Sequence, residues 1–151
     1  MSYRVALIGV GNRYRRDDGV GPAVVAEIDR RHLPGVTCSV VGGEPTELIE
    51  AWCGAQLAVV VDALVCEPST PGRIHRSLGE PWHQPSATST HGLGVADAVR
   101  LAEALDRKPA RLVVFAVEAA DVGLGLGLSS AVRAAVPALT GAVLAELGER
   151  S

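Results

Sequence analysis

The sequence predicts a three-layer α/β/α domain on a mostly parallel sheet of about five strands. Two observations carry this. Short β-branched runs alternate with longer segments of helical period, the pattern of parallel strands joined by helical crossovers. One run, Leu57 to Val61, is apolar at both alternating sets of positions, as a central strand covered on both faces must be. At 151 residues the chain is sized for one domain, 1–151, with enough length to bury a core. With 48% hydrophobic and 21% charged residues it matches neither a disordered nor a fibrous chain, and with only 3% aromatics its core must be aliphatic.

The elements follow in order. Val5 to Ile8, ending at Gly9, reads as the first strand. Val20, Val24, Val25 and Ile28 share a helical face, with Pro22 tolerated in the first turn and Pro34-Gly35 closing the segment. A strand near Thr37 to Val41 comes next. Gly42-Gly43 then turns into a short helix with Pro45 in its first turn and Leu48, Ile49 and Trp52 as its apolar face. The covered strand Leu57 to Val61 is expected to stop at Asp62. From Cys66 to Ser89 prolines, serines and threonines indicate an irregular excursion holding an edge strand around Arg73 to His75. Thr90 is placed to cap a helix carrying Ala98, Leu101, Ala102 and Leu105 on one face, followed by a strand at Leu112 to Val117. Val132, Val136, Leu139, Val143 and Leu147 mark a closing helical region, in which Pro137 predicts a kink or two consecutive helices. Gly123 to Leu128 reads as a loop.

Composition also excludes some classes. A net charge of −3 gives no general attraction to nucleic acid or to anionic lipid. The apolar run at the N-terminus spans only about seven residues, too short for a signal peptide or a membrane span, so the protein is expected in the cytoplasm. Cys38, Cys53 and Cys66 are odd in number and lack CxxC spacing, and are expected to be neutral thiols, not ligands or disulfides.

In an open parallel sheet, sites form beyond the carboxyl ends of the strands. Three polar clusters fall there: Gly9-Val-Gly-Asn12 with Asp17-Asp18-Gly19, then Asp62, then Thr90-His91-Gly92. The glycine loop does not complete a dinucleotide fingerprint, because Tyr14 stands where the third glycine belongs, and there is no Walker lysine. No cofactor-binding set is therefore assigned. A carboxylate ending an apolar strand, as Asp62 does, needs hydrogen bonds or a cation to offset its desolvation. Asp18 reads either as a carboxylate at a helix start or as a ligand, and His91 either as a first-turn polar residue or as a ligand. Two carboxylates and an imidazole form a mixed donor set suited to zinc, nickel or manganese.

The segments GVGNRYRRDDGVG, VVVDALV and STHGLGVADAV, in that order, resemble the [NiFe]-hydrogenase maturation endopeptidases over nearly the whole chain, and Gly42-Gly-Glu-Pro-Thr46 resembles that family's glycine-rich loop. The resemblance implies a phosphorylase/hydrolase-like sheet, metal contact by Asp18, Asp62 and His91, and an aspartic-type catalytic role for Asp62 and Asp18. Between the two, enclosure at the end of an apolar strand makes Asp62 the first choice of general base, which the sequence does not settle. It implies removal of a C-terminal extension from the large-subunit precursor once nickel, supplied by that precursor, is in place. Two positions depart from the pattern: Asp18 stands where some members carry glutamate, and Val117-Glu118-Ala119 lacks a frequent proline. A non-catalytic nickel-handling or precursor-binding module, and a small-molecule metallohydrolase, stay open on sequence alone. His32, His75 and His83 are expected at the surface or in loops. Glu44, Asp97 and Glu118 are candidate supports for a ligating imidazole. The basic run Arg13, Arg15 and Arg16 is either solvated surface or a contact for an acidic patch on a protein substrate.

Overall fold

The computed structural model describes residues 3–78, 87–89 and 94–148. Within them, six strands form one sheet: β1 (Val5–Val10), β2 (Val36–Val41), β3 (Leu57–Cys66), β4 (Ile74–Leu78), β5 (Ala87–Ser89) and β6 (Arg111–Glu118). Four helices accompany them: α1 (Val20–Asp29), α2 (Pro45–Trp52), α3 (Gly94–Leu105) and α4 (Ser130–Gly148). The strand order is β2-β1-β3-β6-β4, with β5 also paired to β3. β2, β1, β3 and β6 run parallel, while β4 and β5 are antiparallel to their neighbours. The expected mostly parallel three-layer architecture is thus present.

Alternation along the strands separates two cores. Leu7, Val59 and Phe115 face one way and pack with Val24, Ile28, Leu139 and Val143 of α1 and α4. Ile8, Val60 and Val114 face the other way and pack with Leu48, Trp52, Ala98 and Ala102 of α2 and α3. The indole N–H of Trp52 donates to the Arg107 carbonyl at 3.1 Å, so its burial leaves no polar atom stranded.

Four expectations are revised. β3 does not stop at Asp62 but continues to Cys66, because β6 stays paired along it to Leu64 and β5 pairs with Leu64 to Cys66. The region after Cys66 contains two strands, β4 being longer than the anticipated edge strand. On α3 the buried face is Val95, Ala98, Val99 and Ala102, while Leu101 and Leu105 are exposed; the alanines let the helix lie close and the leucines fall on its outer flank. α4 is one helix through Pro137, not the alternative of two consecutive helices. That proline is exposed, so the carbonyl it deprives of a donor can be served by water. By length and composition α4 would suffice to cross a membrane, yet Val132, Leu139, Val143 and Leu147 are buried in the core.

The early glycines are explained by packing. A Cβ at Gly21 would lie 2.6 Å from the Val61 carbonyl oxygen and 2.9 Å from backbone atoms of Val10. One at Gly9 would meet Gly21 at 2.7 Å. Bare backbone at both positions lets α1 start directly on the ends of β1 and β3, which places the preceding turn against β3.

Candidate active site

Asp62 sits where one edge of β3 changes neighbours. β1 leaves after the Gly9–Val61 pair, and β5 takes up the same edge only at Leu64, while β6 covers the opposite edge throughout. The side chain is 3% exposed, and its Oδ1 accepts the Ala63 amide at 2.8 Å. It therefore occupies the gap between a parallel and an antiparallel partner, a topological opening in an otherwise continuous sheet.

Asp18 lies in a 3-10 turn (Arg16–Gly19) that leads into α1 and packs against β3. It is 2% exposed, and its Oδ2 accepts the Asn12 amide at 2.8 Å. The side chain does not cap α1, whose N-cap is Gly19. Gly11 makes the turn possible: at φ 145° a Cβ there would fall 1.9 Å from the Asp18 carbonyl oxygen. The two candidate carboxylates thus belong to touching elements at the carboxyl end of the sheet, each buried and each held by a backbone amide. Thr90 and His91 lie outside the described residues, as does His83. Among the described residues no three metal-ligating side chains cluster.

The neighbouring Asp17 was not singled out in the sequence, yet it accepts four hydrogen bonds. It is fully buried and accepts the Ala120 amide at 2.8 Å, the Asp121 amide at 3.1 Å, and both the amide and the hydroxyl of Ser129, at 2.7 and 2.9 Å. It fastens the loop after β6 to the turn that carries Asp18. Arg15 and Arg16 reinforce the same junction, Arg15 Nε donating to the Val122 carbonyl at 3.0 Å and Arg16 pairing with Asp121 at 3.5 Å. Arg13 has no acidic partner among the described residues; its guanidinium lies 5.1 Å from the Tyr14 ring centroid.

His75 is not a surface residue. It stands on β4 opposite Ala116, its side chain 10% exposed, with Nε2 2.7 Å from Glu118 Oε2. Glu118 also accepts the Thr70 amide at 2.8 Å and lies 3.9 Å from Arg73. These partners lie on β4 and the loop before it, and the Cys66 thiol of β3 also stands beside the carboxylate. The desolvation argument applied to Asp62 holds equally for Glu118 at the end of its own apolar strand, and it was the available signal. Of the other candidates, Asp97 pairs with Arg100 at 2.5 Å, Glu44 is exposed at the start of α2, and His32 is exposed after α1. Burial, with Asp29 beside it, pushes the Cys38 thiol up to about 11; burial and Glu118 push Cys66 up as well. Both shifts disfavour the thiolate, the nucleophilic form, whereas Cys53 is exposed.

Burial pushes the Glu118 carboxyl up, but the Thr70 amide, His75 and Arg73 outweigh it and hold the group below its ordinary value of 4.5. A carboxyl depressed in the folded state stabilises it above the unfolded value, and that contribution is lost as pH falls through the folded value. Glu118→Gln is therefore expected to flatten the acid limb of stability, read as urea midpoints taken stepwise from about pH 6 to pH 3. Parallel loss in both proteins would remove Glu118 from the acid response.

A family model described as hydrogenase maturation protease matches residues 22–146. The chain belongs to the hydrogenase maturation protease family. It is 27% identical over 150 residues to the hydrogenase 2 maturation protease of Escherichia coli K12, covering 97% of this chain and 92% of the relative. Among solved structures it is similar to the [NiFe] hydrogenase maturation protease HybD from Thermococcus kodakarensis, with a TM-score of 0.77 and 25% identity over 93% of this chain and 97% of that one. An endopeptidase from Escherichia coli, 24% identical, shares the fold at a TM-score of 0.81 over 97% and 93% of the two chains. Membership supports peptidase activity and a role in hydrogenase maturation.

Proposed function

We propose that the chain is an endopeptidase that removes the C-terminal extension of a [NiFe]-hydrogenase large-subunit precursor after nickel insertion, in the cytoplasm. The observation that carries this reading is the pair of buried carboxylates, Asp18 and Asp62, on touching elements at the opening beside β3. Carboxylates so enclosed lack the water that would solvate them and favour an arriving cation. Nickel is treated as cargo of the substrate. Asp18, Asp62 and His91 engage it through an O/O/N donor set, so cleavage becomes conditional on metal loading. Asp62 takes the proton of the attacking water, and the substrate-borne metal polarises the scissile carbonyl.

The test is to incubate the protein with nickel-loaded and nickel-free precursor and weigh the products. Cleavage of the loaded precursor alone is expected. Binding without cleavage would leave a precursor-binding module, and equal cleavage of both forms would sink the dependence on nickel.

A further inference from the structure

Beside the turn that carries Asp18 lies an open groove of about 980 Å³. Its walls are apolar, formed by Pro22, Ala23 and Ala26 on α1, Val40 on β2, and Leu126 and Leu128 of the loop before α4. Val40 is 53% exposed and Leu126 70%, so aliphatic surface is left open on two sides of the groove. Arg13 and Arg16 stand at its rim, and no aspartate or glutamate is among its described lining residues. Gly11 and Asn12 form the end nearest the carboxylates, Asn12 being the residue whose amide holds Asp18.

Two features say what would fill it. β2 is the terminal strand of the sheet, so its outer backbone edge is not paired to another described strand, and Val40 and Gly42 bring that edge to the groove. An open strand edge next to apolar pockets suits an extended polypeptide, which pairs through its backbone and inserts alternate side chains. The guanidinium of Arg13, lacking an acidic partner among the described residues, together with a described lining that holds no carboxylate, selects a peptide that carries negative charge.

We propose that this groove binds an extended segment of the precursor flanking the scissile bond, with an aliphatic side chain between α1 and the Leu126 loop and a carboxylate beside Arg13. The inference rests on the processing activity proposed above and adds where the substrate chain runs. Binding here presents the adjoining peptide bond to Asp18 and Asp62, so the groove governs which precursor is accepted.

The test uses the full chain and nickel-loaded precursor. Association is measured in an Asp62→Asn background and cleavage in the otherwise unaltered protein. Ala26→Trp fills the groove from an exposed position of α1, Leu126→Asp makes its wall acidic, and Arg13→Glu reverses the rim. Each should weaken association about tenfold or more and raise KM far more than it lowers kcat. The Arg13→Glu and Leu126→Asp effects should shrink with added salt, whereas the Ala26→Trp effect should not. Leu105→Asp, on the outer flank of α3, should change neither. If the three groove variants associate and cleave as the parent does, the inference is overturned while the protease reading stands. If the parent binds but never cleaves and the groove variants still lose binding, the protease reading fails and the docking surface survives. A concentration-dependent dimer abolished by Ala26→Trp, with precursor binding untouched, would assign the groove to a second copy and overturn it.

Discussion

Asp17→Ala should cost the fold about 3–5 kcal/mol, because donors that lose a charged acceptor cost about 1–3 kcal/mol each where they are buried. The carboxylate, itself fully buried, accepts three amides and one hydroxyl, and alanine leaves all four donors without that acceptor. Against a total stability of about 5–15 kcal/mol for an ordinary domain, this is a large fraction. The thermal midpoint should fall by roughly 10 °C. Asp17→Asn keeps one acceptor oxygen but turns an N–H₂ toward other donors, so it should recover only part of the loss. The consequence for function is indirect: freeing the loop after β6 loosens the turn that presents Asp18. Circular-dichroism melts of both variants check this, and an alanine variant melting within about 2 °C of the parent would show that the network contributes little.

Asp62→Asn and Asp18→Asn are expected to lower processing by about 100-fold or more, the scale on which a positioned acid or base contributes, while the melts hardly move. Asparagine matches aspartate in size and keeps an acceptor for the Ala63 amide at position 62 and for the Asn12 amide at position 18. It loses the negative charge that a divalent ion requires for strong oxygen ligation. Asp18→Glu should retain partial activity, since the carboxylate survives with a longer reach. The measurement is cleavage of nickel-loaded precursor at matched folded fraction. Full activity in the Asp18→Asn protein would confine Asp18 to holding the Asn12 loop, and full activity in the Asp62→Asn protein would remove the proposed base. His91→Ala belongs in the same series, with the same loss expected.

Local pattern by itself determined most of the fold. The β-branched runs located β1, β2 and β6, the helical spacing located α1 and α2, and Pro45 marked the first residue of α2, because each of these choices follows from backbone geometry within a few residues. The sequence also placed Asp18 and Asp62 at the carboxyl edge of the sheet, since both follow apolar strands. Tertiary structure alone decided what those residues meet. Asp62 lies inside β3, not at its end, because β6 extends the pairing, a fact about a strand some fifty residues away. Asp17 and Asp18 are adjacent and chemically identical in the sequence, yet one is consumed by amides more than a hundred residues distant and the other by Asn12 close by. His75 looked like a loop histidine until β4 set it against Glu118. Long-range hydrogen bonds leave no periodic trace in sequence, because most partners of Asp17 and Asp18 described here are backbone amides, which every residue but proline supplies alike.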